Sequence, residues 1–220
     1  MKITESINHL FKKPSSLFPF ICGFVIVWIL NTFAFPGQLH DWFVYLPAQD
    51  ETNRWFVILS GWLFHAPTFL PFGGTGGVFQ YAWGAFHIIT SCFFIHVTSS
   101  LLDYQWGKKR TVMLFVLSQI IAWATLVFLV GQLGWSVRGA GSSTYGISGM
   151  VGAILAYCIF NKDFWNKWKN NVYFRLIPIS VLIGALRGSW LTSLIYAITI
   201  ILGVVFWLVV NLYKSEKRKY

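Results

Sequence analysis

Gly146, Ile147, Ser148 and Gly149 open a late apolar segment, and a serine set among glycines there is a candidate nucleophile. A serine hydroxyl becomes reactive only when a positioned base takes its proton, and histidine suits that task because it titrates near neutrality. The histidines of the chain are His9, His40, His65, His87 and His96, so none follows the serine. The same residues, with Gly152 and Ala153, also read as a small-residue packing face on which Ser148 would bond a backbone carbonyl. Other chemistries find little footing. Cys22, Cys92 and Cys158 lie in apolar runs as small packing groups, and no residues have metal-ligand spacing, so no metal or cofactor is expected. The glycine run at Gly73, Gly74, Gly76 and Gly77 lacks the lysine and following hydroxyl of a phosphate-binding loop.

The elements that must hold Ser148 are membrane helices. Of 220 residues, 56% are hydrophobic and 11% charged, and mean hydropathy is +0.60. That composition places the chain in the membrane class. Six stretches are apolar enough to cross a bilayer, at residues 17–36, 79–99, 111–131, 143–161, 172–187 and 190–212. A span takes about 20 residues because the hydrocarbon core is roughly 30 Å thick. The fifth is short and holds Pro178 and Arg175. The expected fold is therefore all-α, a six-helix membrane domain over 17–212 between a segment 1–16 and a basic tail 213–220. An amphipathic outer insertion, residues 37–78, joins the first two spans.

Basic residues set the orientation, since lysine and arginine are retained on the cytoplasmic side of short loops. Fourteen of the 17 fall before the first span, in the turns after the second and fourth, or after the last, and only Arg54, Arg138 and Arg187 fall in the alternate connections. Both termini are expected to be cytoplasmic, in a cell membrane. The net charge of +10 then reflects topology and anionic lipid rather than nucleic acid, which is not an expected partner.

Four features in order resemble the rhomboid superfamily over roughly residues 17–212. Arg54 and Trp55, followed by Leu63, Phe64, His65 and Ala66, are similar to the family's outer-loop elements, with the Trp-Arg order reversed. His87 with Ser91 resembles the His-x-x-x-Asn motif, serine replacing asparagine. Asp103 with Gly107, before Lys108, Lys109 and Arg110, resembles the Glu-x-x-x-Gly turn, and its carboxylate is expected to find local hydrogen bonds. Gly146 to Gly149 matches the Gly-x-Ser-Gly opening of the nucleophile helix.

The resemblance implies an intramembrane serine protease fold, with Ser148 in the nucleophile position and His87 and Ser91 in the oxyanion position. Serine offers one donor where the asparagine amide offers two. The family's base would come from the last span, where Leu191, Thr192, Ser193, Leu194, Ile195 and Tyr196 contain no imidazole. Its usual tyrosine four residues after the nucleophile is Gly152 here. At about 1.5 Å per residue, Ser148 lies roughly 8 Å and His87 roughly 12 Å below the outer face. They are expected to meet at an outward-opening cavity, with Thr192, Ser193 or Tyr196 standing where the imidazole is missing.

Three function classes follow. The leading one is a pseudoprotease that binds transmembrane segments of client proteins, its other partners being membrane lipids. The second is a serine endopeptidase that uses His87 as a substitute base. The third, a transporter or channel, finds few ionisable groups within the spans to build a pathway.

Overall fold

The computed structural model describes residues 13–34, 78–133, 144–187 and 190–217. The outer insertion with Arg54, Trp55 and His65, its glycine run, and His9 and His40 lie outside the described residues. Within them the chain is all-helical, with no strand. Helix α1 (Phe18–Ile29) runs on into a π-helical turn, Leu30–Ala34. Then come α2 (Val78–Trp106), α3 (Lys108–Leu133), α4 (Thr144–Phe160), α5 (Lys162–Trp168), α6 (Val172–Arg187) and α7 (Trp190–Lys217).

Six spans were expected, and three helices among the described residues are long and apolar enough to cross: Gly84–Trp106, Lys108–Leu126 and Trp190–Leu212. The segments Phe18–Ala34 and Tyr145–Phe160 are shorter apolar helices. The expected fifth span is the 16-residue α6, where Pro178 has no N–H to give the carbonyl four residues back. The short α5 was not expected. It lies in the charged connection after α4, where Asn161 accepts from the Phe164 N–H at 2.9 Å. Asn171 starts α6 the same way, accepting from Phe174 at 3.2 Å. In each case an asparagine side chain satisfies one of the orphan N–H groups of a first helical turn.

The surface of these helices is compatible with an apolar solvent. On α7, Thr199, Gly203 and Trp207 face inward, yet the opposite face carries Ile201 at 62% and Val209 at 59% exposure. A water-facing helix would be polar on that side, and an exposed apolar face of this kind marks a membrane or partner surface. In lipid, helices do not associate through the hydrophobic effect; they associate through close packing and interhelical hydrogen bonds. Helix α4 shows this most fully: residues 145–154 are all buried, and the helix packs on α2, α3, α6 and most extensively on α7. At its far end Tyr157 meets Trp106 at 5.8 Å, Trp207 at 5.6 Å and Phe164 in a stack at 5.0 Å.

Asp103 departs from expectation in an informative way. Its partner is not local. Its two carboxylate oxygens accept from the Ser16 N–H and hydroxyl, each at 2.7 Å, across 87 residues of sequence. The reason is that α1 begins beside the point where α2 ends, so the carboxylate sits against the incoming N–H groups of α1. Gly107 then turns the chain with φ of 93°, a conformation glycine adopts without the Cβ penalty. Trp106 Nε1 donates to Thr111 Oγ1 at 3.0 Å, closing the α2–α3 corner. Lys167 reaches the same end, donating to the Tyr104 hydroxyl at 2.9 Å.

Candidate functional site

Ser148 lies in the second turn of α4 and is wholly buried. Its hydroxyl donates to the Tyr145 carbonyl at 2.8 Å and shares a 2.5 Å hydrogen bond with Thr199 Oγ1 on α7. Thr199 is also wholly buried and lies 3.0 Å from the carbonyls of both Ile195 and Tyr196, either of which can accept its hydrogen. Ser118 on α3 donates to the Leu114 carbonyl at 2.8 Å, so three buried hydroxyls gather where α3, α4 and α7 cross, each able to bond back to its own helix.

Glycines bring the crossing this close. A Cβ on Gly203 of α7 would overlap the Gly149 carbonyl oxygen, and a Cβ on Gly149 would overlap the Ser118 hydroxyl. Gly152 likewise leaves no room for a side chain, because its Cβ would overlap the Ile200 carbonyl oxygen. The small-residue packing face and the candidate nucleophile are therefore the same object. A tyrosine at position 152 would push α7 away.

The proton accounting decides what this arrangement can do. Two hydroxyls carry two hydrogens, and carbonyls of their own helices stand ready to accept both. If Ser148 donates to Tyr145, Thr199 supplies the short bond between the hydroxyls; if Thr199 donates backward, Ser148 supplies it. In either arrangement the serine proton passes to a neutral oxygen. An alcohol is no stronger a base than serine itself, so Thr199 cannot do the work of an imidazole.

The other expected residues are placed as follows. His87 is half-buried on α2 and Ser91, one turn on, is buried; α2 packs against α4. Among the described residues, the hydrogen bonds of Ser148 go to Tyr145 and Thr199. Thr192 and Tyr196 are buried but serve Tyr145: Thr192 hydrogen-bonds its side chain, and the Tyr196 ring packs edge-on at 5.3 Å. Ser193 is half-buried. The α7 residue bonded to Ser148 is thus Thr199, which sequence reasoning did not single out. Gly203, four residues later and on the same helix face, was the signal that could have found it, since a glycine inside a long apolar helix marks a close backbone approach.

No protein-family model, curated protein or solved structure matches this chain.

Proposed function

We propose that the protein is a six-span, rhomboid-like membrane protein that binds transmembrane segments of client proteins without cleaving them. One observation carries the reading: the serine in the nucleophile position is wholly buried and bonded to Thr199, a threonine standing where a base would be needed. The order of the four sequence features supports the rhomboid-like part, and the apolar outer surface supports the membrane setting. In this reading α1, α4 and α6 supply the other three spans: with its π turn α1 covers 17 residues and α4 has 17, at the lower limit of about 17 for a crossing, and α6 with 16 residues falls one short of it. The oxyanion position falls to His87 and Ser91, and client segments pack against the exposed apolar helix faces.

Purified protein incubated with a fluorophosphonate probe is expected to show no Ser148 labelling above the Ser148→Ala background. Stoichiometric labelling within minutes would overturn the non-catalytic reading. Its loss in His87→Ala would then establish the second reading, an endopeptidase with His87 as base, which the packing of α2 on α4 favours.

Both termini and the basic turns belong to the cytoplasmic side in this reading. The meeting of Ser16 with Asp103 and of Tyr104 with Lys167 supports it, because it gathers Lys13, Lys108, Lys109 and Lys167 toward one end of the bundle. A single cysteine replacing Lys109, in a chain stripped of its native cysteines, is expected to resist impermeant maleimide in intact cells and to react after lysis. Labelling in intact cells would reverse the orientation.

A further inference from the structure

A groove of about 490 Å³ opens between α4, α5 and α6, and Ser148 is not among the residues that line it. Its walls are apolar where the two longer helices face each other: Val151, Ile154 and Leu155 on α4, Ile177 and Pro178 on α6. Its mouth is cationic, formed by Lys169 and Arg175, with no acidic residue among those that line it. The size falls within the roughly 300–1,000 Å³ of small-molecule sites, and apolar walls under a positive rim match a molecule with an acyl chain and an anionic head.

The two cations are held in place yet keep donors to spare. Arg175 Nε donates to the Lys169 carbonyl at 2.6 Å, and its Nη2 donates to Asn170 Oδ1 at 3.2 Å. Two of five guanidinium hydrogens are thereby used. Lys169 Nζ donates to Asn166 Oδ1 at 3.0 Å, using one hydrogen of three. The remaining donors belong to two cations that line one groove, with Arg175 tied to the Lys169 carbonyl, which suits the oxygens of a phosphodiester. Trp165, on the short α5, also lines this mouth and is 46% exposed, as tryptophan commonly is at the headgroup level.

We propose that this groove is a site for one anionic phospholipid of the cytoplasmic leaflet, with an acyl chain between α4 and α6 and the headgroup phosphate on Lys169 and Arg175. It rests on the membrane reading and not on the fate of Ser148, so the two stand or fall separately. The lipid fills the groove between α4 and α6, and it ties the charged connection to the bilayer surface.

Native mass spectrometry of the purified protein, with dioleoyl phosphatidylglycerol or phosphatidylcholine added to detergent micelles, tests the proposal. One phosphatidylglycerol adduct per chain is expected, retained against excess inorganic phosphate, with phosphatidylcholine bound far more weakly. Lys169→Gln with Arg175→Gln is expected to lower phosphatidylglycerol affinity about thirtyfold, as loss of two interfacial cations implies. Leu155→Trp, which fills the groove and leaves both charges, is expected to lower it as well. Lys108→Gln with Lys109→Gln, on the neighbouring turn, should leave it unchanged, and the charge-conserving Lys169→Arg, Arg175→Lys pair should retain the adduct and so separates lost charge from lost folding. Equal binding of the two lipids, displacement by free phosphate, indifference to Leu155→Trp, or equal loss in the Lys108, Lys109 control would each overturn the site.

Discussion

Gly203→Val is expected to destabilise the protein by about 3 kcal/mol or more, at the upper end of what overpacking costs. The added Cβ would overlap the Gly149 carbonyl oxygen and press on the Ala153 amide, which stands 2.8 Å from the Cβ position. Both are backbone atoms of a buried helix, so no side-chain rotation can relieve them. Separating α4 from α7 would also break the Ser148–Thr199 bond and leave each hydroxyl only the carbonyls of its own helix. Thermal unfolding in detergent, followed by aggregation of the eluted peak, measures the effect. Gly23→Ala is the control, since nothing lies within 4 Å of a Cβ there, and it should hold or slightly raise the midpoint because alanine favours helix by about 1 kcal/mol. A Gly203→Val protein that melts with the parent would mean that the two helices do not cross at these glycines.

The second large effect is expected at Asp103. Asp103→Ala removes both acceptors of Ser16 at once, and hydrogen bonds to charged groups are worth about 1.5–3 kcal/mol each. The site is only partly buried, so water recovers some of that, and a total of about 2–3 kcal/mol is expected. Asp103→Asn keeps one acceptor oxygen and should lose about half as much. Limited proteolysis gives a second readout, because α1 would detach from the end of α2 before the rest of the bundle opens. If Asp103→Ala is as stable as the parent protein, the carboxylate does not anchor the first helix.

How far the residues announced this structure varies with the range of the interaction. The long helices were legible as apolar runs, because helix length and hydropathy are local properties, and α2, α3 and α7 fall where those runs lie. The π turn at Leu30–Ala34 and the seven-residue α5 were not legible, since a short element among polar residues leaves no periodicity to read. Asn161 and Asn171 cap α5 and α6, each three residues before a phenylalanine, a signal the sequence reading did not use.

At the candidate site, Ser148 was placed by its glycines, but its partner was sought at Thr192, Ser193 or Tyr196. Those positions follow from the rhomboid resemblance alone, whereas the helix crossing is set by Gly149 against Gly203 and brings Thr199 to the serine. The Asp103–Ser16 pair was invisible for a different reason: 87 residues separate its members, and no local spacing encodes a contact between two helix ends. The cationic groove likewise depends on how α4 and α6 lean together.

The hydrogen bond from Ser148 back to its own helix bears on how the chain is made. Helix α4 leaves the ribosome well before α7, and until α7 arrives no Thr199 is at hand. During that interval the Tyr145 carbonyl can take the serine hydrogen, so the Ser148 hydroxyl has a partner within α4 itself. The arrival of α7 then adds a second partner without breaking the first arrangement's connectivity.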